Sequence, residues 1–428
     1  MRVPFVSALA ATVILLTALP SAGAPTPAEE QLAWVIEALN SSQAPSPAVL
    51  RQHFAPSFLK AVPPEKLVEG LASILPARPF RLTKILTRQG PDALQAQIDG
   101  KTGTSLKVSI QVEAARPHLI DGLLFQPVAS GVTSWAGVDE GLAKLASSAS
   151  LYAGTPAGRT IHALDASHAG AIGSAFKLYV LGALASAVGA GTASWTEELA
   201  IHDAWKSLPS GDMRNAPDGK RFTLRHYAEQ MISVSDNTAA DHLIHRLGRD
   251  AVEAELGRLG NSAAARDEPF LTTRELFALK LVAPAALRSE FAAAGTAERR
   301  KLLARVDALG LGRALTAPWP KPIEIGSIEW FASPRDLAHA IAALAGRKPL
   351  SSILAINPGI QLDRTTWPYV AFKGGSEPGV VSLTWYLERH DGKTFVLSIV
   401  LNDTQHDVDT PGAVAIAEAA IGLLAKAG

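Results

Sequence analysis

Cysteine is absent from all 428 residues. Its absence excludes disulfides, thiolate metal sites, a cysteine nucleophile and a lipidated cysteine at an export signal. Stability must then come from a buried core, which a domain of about 300 residues can supply. Net charge is lacking too, since 40 basic residues balance 40 acidic ones. No basic stripe or polybasic run stands out, so neither nucleic acid nor an anionic membrane surface is an expected partner. With 19% charged and 47% apolar residues, the composition is globular and not that of a disordered chain. No metal-ligand spacing is present. His242 and His245 share a helix face without a third ligand, and neither a metal nor any other cofactor is expected. Apart from residues 4–19, no apolar run approaches the length of a membrane span.

What is present begins with residues 1–24, which read as a secretory signal. Arg2 supplies the positive end, Pro4 to Leu19 the apolar stretch, and Ser21-Ala22-Gly23-Ala24 the small-residue cleavage zone. A secreted or periplasmic location is expected, with no stable membrane span after cleavage. Pro25 follows the zone directly and leaves an uncleaved anchor as the alternative. Residues 25–131 form a small α+β domain. Helical spacing covers 28–40 (Leu32, Val35, Ile36 and Leu39 on one face), 46–60 and 64–74. The period then becomes two, over Phe80–Arg88, Asp92–Ile98, Ser105–Ala114 and Leu119–Pro127. Helices followed by a curved antiparallel sheet resemble the NTF2/cystatin-like cone, a fold analogy without functional content.

Residues 132–428 form the larger domain. A helix over 137–149 and strands near 150–155 and 159–166 lead to Ser174, which opens an apolar helix (Leu178, Val180, Leu181, Leu184). At the other end lie strands Tyr369–Lys373, Val380–His390 and Thr394–Leu401, the last two joined at Asp391-Gly392, and a helix over 411–426. Three short motifs occur in order: Ser174-Ala175-Phe176-Lys177, Ser235-Asp236-Asn237 and Lys373-Gly374-Gly375. The chain also shows how little a single motif means. Ser57-Phe58-Leu59-Lys60 repeats the first pattern, and Lys101-Thr102-Gly103 sits in a predicted hairpin turn. A serine in the first turn of a buried helix lies near unpaired backbone N–H groups and the positive end of the helix dipole. A lysine three residues on shares its face and is a base only if neutral. Bringing its pKa from about 10.4 to 7 needs roughly 4 kcal/mol, which burial and the charge of Lys373 both supply.

The ordered set resembles the SxxK, SDN and KTG motifs of β-lactamases and penicillin-binding proteins. The resemblance implies an α/β (α+β) fold, a β-lactamase/transpeptidase-like helical domain plus antiparallel sheet. It also implies roles: Ser174 the nucleophile, Lys177 the base, Ser235 the proton relay and Lys373 the electrostatic anchor. Asn237 would contact the lysine and the substrate amide. Ser174 N–H and Ser376 N–H, the latter just after Gly375, would form the oxyanion hole. Asp236 would hold its loop. Two departures stand out. Gly374 replaces the usual Thr or Ser, and no Glu-x-x-Leu-Asn loop occurs between Ser235 and the helix start at Thr272. Asp267 and Glu268 are the substitute candidates for a deacylation base, although a pair of acids before a helix is usually a solvated cap. Ser207-Leu208-Pro209-Ser210-Gly211, Met231-Ile232-Ser233 and Pro269-Phe270-Leu271-Thr272-Thr273-Arg274-Glu275 are similar to a two-domain branch of class A β-lactamase-related serine hydrolases, with a small N-terminal domain.

Helices are expected at 297–315 and 334–346, either as a rim of the site or as a packing pair, and Trp319, Trp330 and Trp367 as cleft or core aromatics. Tyr227 and Tyr386 do not occupy a YxN position. The expected protein is a secreted serine hydrolase acting on a small molecule, a β-lactam, acyl ester or cell-wall peptide, with slow deacylation. A D-Ala-D-Ala carboxypeptidase and a non-catalytic binding protein are the alternatives.

Overall fold

Proline stands in the first turn of each of the first four helices, where its missing N–H costs nothing. These are α1 (Pro27–Asn40), α2 (Pro47–His53), α3 (Pro56–Ala61) and α4 (Pro64–Ile74). Thr26 and Glu29 close a capping box on α1. The single helix expected over 46–60 is two helices. Pro56 disfavours a helical Ala55, and Phe54 instead forms a parallel bridge with Ile120. Four strands follow in the order β1 (Arg81–Arg88), β2 (Ala93–Asp99), β3 (Ser105–Val112) and β4 (Ile120–Val128). On β2 every second residue is buried, and Leu94, Ala96 and Ile98 join Leu32, Val35 and Leu39 of α1 in one core. Lys101 is exposed.

The computed structural model describes residues 24–101, 105–128, 131–208, 210–312, 319 and 321–428. Residues 1–23 of the predicted signal lie outside them, as do Thr102 and Gly103. The chain divides into two compact units between Phe125 and Gln126. Among the described residues, no helix is long and apolar enough to cross a membrane.

The second unit opens with α5 (Trp135–Ala143), β5 (Ser148–Gly154) and β6 (Thr160–Leu164), then β7 (Gly170–Ala171) and α6 (Lys177–Gly189). Helix α5 ends well before residue 149 because Ser148 onward pairs with the strand ending at Asn402. A small hairpin, β8 (Glu198–Ala200) with β9 (Arg221–Thr223), precedes α7 (Leu224–Ser233), α8 (Asn237–Leu247) and α9 (Arg249–Arg258). Next come α10 (Thr273–Phe277), continued by a π-helical turn over Ala278–Val282, then α11 (Ala285–Ala293) and α12 (Thr296–Asp307). Helix α12 stops at Asp307, short of the expected 315. Strand β10 (Phe331–Ala332), α13 (Pro334–Ala345) and α14 (Leu350–Leu354) lead to β11 (Tyr369–Glu377), β12 (Val380–Glu388), β13 (Thr394–Asn402) and α15 (Thr410–Ala425).

The main sheet has the order β11-β12-β13-β5-β6, with β11 on the edge. Period-two alternation serves both faces. Leu397, Ile399 and Leu401 of β13 pack with α5 and α15, while Val396 and Val400 join the helical core around α6. Residues 177–185 of α6 are all buried, as expected of a helix apolar on every side. Leu302, Leu303 and Val306 of α12 and Leu337, Ile341 and Leu344 of α13 enter the same core, so the pair expected at 297–315 and 334–346 packs the helical layer. Strand β11 continues past Lys373 to Glu377, paired in register with Val380.

Candidate active site

The approach to Ser174 is clamped from three sides. The Asn402 side chain bonds both the N–H (2.9 Å) and the carbonyl (3.0 Å) of Ala171. Ile172 N–H donates to Trp330 O (3.0 Å), and Ser382 Oγ donates to Ile172 O (2.6 Å). Gly173 then takes a left-handed backbone (φ +46°). The α-helix does not begin at Ser174 as expected. A 3₁₀ turn over Gly173–Phe176 comes first, and α6 starts at Lys177. With three residues per turn, positions i and i+3 eclipse, so Ser174 and Lys177 stand one above the other. Lys177 Nζ lies 3.2 Å from Ser174 Oγ.

The second motif arrives on the bend between α7 and α8. Ser235 is a non-glycine residue at φ +57°, a costly conformation that must be held by its surroundings. Several bonds hold it. Its carbonyl accepts from Lys177 Nζ (2.6 Å) and Ser210 Oγ (2.6 Å), and the next N–H groups donate to Gln230 O and Ser210 O (both 3.1 Å). Asp236 caps α8 through Ala239 N–H (2.8 Å) and also accepts from Met213 N–H (2.9 Å), the holding part expected of it. Asn237 accepts from Lys177 (2.6 Å) and donates to Leu208 O (3.1 Å).

Lys373 comes from the edge strand β11. Its Nζ donates to Ser235 Oγ (3.0 Å) and to Gly374 O, and Lys177 Nζ is 3.1 Å from the same hydroxyl. A chain Ser174–Lys177–Ser235–Lys373 therefore runs in hydrogen-bond contact. Gly375 is needed where β11 meets the 3₁₀ turn. A Cβ there would lie 2.3 Å from Ile172 O and 2.5 Å from Ser174 N, and one on Gly173 would lie 3.3 Å from Ser376 N. The amides of Ser174 and Ser376 thus flank the same glycine contact.

The electrostatics follow from burial. Both Lys177 and Lys373 are buried, and among the described residues neither contacts a carboxylate. Burial first, and then the charge of Lys373, hold the Lys177 ammonium well below the ordinary lysine range, against the pull of Asp241 and Asp236. Burial brings Lys373 down to about 7. Asp241 is pushed up to about 7 by burial. It accepts from Thr273 N–H, Thr273 Oγ and Arg274 N–H (2.7, 2.9 and 2.9 Å), fixing the start of α10 beside the site.

All seven predicted site residues, Ser174, Lys177, Ser235, Asn237, Lys373, Gly375 and Ser376, meet here, and all but the fully buried Lys177 line one cleft of about 1080 Å³. The two substitute bases do not meet it. Asp267 is buried and accepts from Phe331 N–H (2.8 Å) and Asn261 Nδ2 (3.3 Å), which holds β10 in place, and Glu268 is outside the cleft. Trp319 and Trp330 line the cleft, whereas Trp367 packs edge-on to Phe395 in the core. Tyr227 bonds Leu199 O (3.3 Å), and neither it nor Tyr386 reaches the cleft. His242 is buried, bonded to Thr238 O (2.7 Å) and His202 N–H (2.9 Å). No group of residues suited to a metal ion occurs among the described residues.

Sequence reasoning gave Leu208 and Ser210 only within a family-like stretch and assigned them no part, whereas Leu208 O accepts from Asn237 and Ser210 holds Ser235 O. It also missed Glu377, which lines the cleft. Period-two counting onward from Lys373 was the available signal.

Comparison with known proteins gives two family models. One, described as the beta-lactamase enzyme family, matches residues 143–426. The other, described as the ORF 12 gene product N-terminal, matches residues 24–116. No curated protein matches. Among solved structures, a β-lactamase from Sphaerobacter thermophilus is 21% identical with a TM-score of 0.48, over 68% of this chain and 96% of that one. An ancestral class A β-lactamase (GNCA) is 17% identical with a TM-score of 0.47, over 69% and 100%. A protein called PBP-A is 15% identical with a TM-score of 0.43, over 70% and 98%.

Proposed function

The chain belongs to the β-lactamase enzyme family, and on that premise we propose a serine hydrolase that forms an acyl-enzyme at Ser174 and acts on β-lactams or small acyl esters. The observation that carries this reading is the set of contacts around Lys177 Nζ. Its two shortest partners, Ser235 O and Asn237 Oδ1 (both 2.6 Å), can only accept. They use the two N–H groups of a neutral amine. The lone pair then faces the hydroxyls of Ser174 and Ser235.

Ser174 O–H donates to that lone pair. As Ser174 Oγ bonds to the substrate carbonyl carbon, its proton passes to Lys177. The developing oxyanion sits between Ser174 N–H and Ser376 N–H, and each such donor is worth about 10²–10³ in rate. When the carbonyl–nitrogen or carbonyl–oxygen bond breaks, Ser235 Oγ protonates the leaving atom and is resupplied by Lys177. The positive charge of Lys373 disfavours the charged form of Lys177 and orients Ser235. Gly374 offers no hydroxyl for a substrate carboxylate, which suits a neutral acyl donor as well as an acidic one.

Export is part of the same proposal, supported by the signal pattern of residues 1–24. An NTF2/cystatin-like reading of the N-terminal unit is supported by its helices and four-stranded sheet. Time-resolved intact-protein mass spectrometry with a penicillin, a cephalosporin and a small aryl ester tests the reaction. An adduct mapping to Ser174 is expected. Release of D-alanine from a cell-wall peptide would identify the peptidase instead, and reversible binding unchanged in Ser174→Ala would identify the non-catalytic binder.

A further inference from the structure

A second ionisable cluster reaches the same cleft through Glu377 and takes no part in acylation. Lys280 lies on the π-helical turn that continues α10, a distortion often found at functional sites. It bonds Glu329 Oε1 at 2.7 Å and Glu377 Oε1. The side chains of Lys280 and Glu329 are 0% exposed and that of Glu377 7%. The other oxygen of Glu329 accepts from Trp330 N–H (3.1 Å), so this end of the cluster is fixed from both sides.

Position along β11 decides what Glu377 faces. Lys373, Gly375 and Glu377 alternate onto one face of the strand, and Glu377 follows Gly375 by about 7 Å. Gly375 is the residue against which Ser174 N rests. Of the cleft-lining residues, the carboxylates are Asp212 and Glu377. Asp212 is exposed at the rim beside Asn215. Asp267 and Glu268 are elsewhere. Among the described residues, a buried carboxylate that lines this cleft is thus available at one position.

We propose that Glu377 is the base that activates water to release the acyl group from Ser174, with Lys280 and Glu329 setting its charge and direction. This rests on the acyl-enzyme reading above. In the step, Glu377 takes a proton from water as the water oxygen bonds to the ester carbonyl carbon. The tetrahedral intermediate then collapses, the bond from carbon to Ser174 Oγ breaks, and the proton held by Glu377 returns to Ser174 Oγ. One ester and one water become one carboxylic acid and one serine hydroxyl. Two carboxylates share one ammonium here. Burial and Glu329 raise the proton affinity of Glu377, while the Lys280 ammonium in contact with it favours the ionised form that accepts the proton.

The test is pre-steady-state kinetics of the full chain with a small aryl ester, read together with intact mass. Glu377→Gln keeps the Lys280–Glu329 pair and the shape of the side chain. It should acylate Ser174 at the wild-type rate and lose the adduct about 100-fold more slowly. Glu329→Gln, which leaves Glu377 in place, should slow adduct loss less than Glu377→Gln does. Wild-type adduct decay in Glu377→Gln, loss of its acylation, or an equal slowing in both variants would overturn the proposal. Absence of any Ser174 adduct on the wild-type chain would instead remove the acyl-enzyme reading, and this proposal with it.

Discussion

Two lysine clusters share the face that β11 turns to the cleft, and they resolve the same problem in opposite ways. Lys177 and Lys373 are buried with hydroxyls, carbonyls and each other for company, and both ammonium groups are pushed down. Lys280 is buried as completely. Burial pushes it down too, but Glu329 and Glu377 more than compensate, and it stays above the ordinary lysine range. Burial alone therefore does not set protonation. The partner does, since an opposite charge at contact distance outweighs desolvation and a like charge adds to it. The first cluster is arranged to hold a neutral amine beside a hydroxyl. The second is arranged to hold a charged ammonium between carboxylates.

The comparison breaks most visibly at the nucleophile and its base. Ser174→Ala should give no covalent adduct in mass spectrometry with any of the three probes. Lys177→Met should keep the fold and lose about 10²–10⁴ of the acylation rate, measured from the burst. An adduct formed at the wild-type rate in either variant would sink the assignment.

Next comes Gly375→Ala. The new methyl would lie 2.3 Å from Ile172 O and 2.5 Å from Ser174 N. Both are backbone atoms that cannot swing aside. The two amides must move apart, so acylation should fall about 100-fold.

Lys373→Met separates activity from stability. Acylation should fall by about 10²–10³, yet the melting temperature should rise. The folded Lys373 titrates near 7, so between there and the ordinary lysine value the unfolded chain binds more protons. Its destabilising cost, roughly 5 kcal/mol from that difference, is complete below pH 7 and fades toward pH 10. Calorimetry should find the gain largest at or below neutral pH. In the wild type, acylation should decline as pH rises through about 7, when Lys373 loses its charge.

The smallest effect is expected at the acids that the sequence offered for deacylation. Asp267→Asn should lower the melting temperature, because Asp267 is buried on the Phe331 N–H. It should leave the rate of adduct loss within twofold of wild type.

Most elements were legible because their periodicity is strong and local. The alternation of β2, the apolar run of α6 and the helix expected at 334–346, found as α13, need only near neighbours. The errors fell where distant partners decide. Residues 144–149 have helical composition, but Ser148 is claimed by Asn402 across the sheet. The strand expected to end at Lys373 is carried on to Glu377 by pairing with β12.

By itself the sequence determined the ordered trio of motifs, and with it the residues that meet at Ser174, because side-chain chemistry and motif order are local properties. Only the tertiary structure decided that Asp267 holds a backbone while Glu377 faces the cleft. Carboxylates are alike in sequence, and what one does depends on the charges and amides that the fold brings to it.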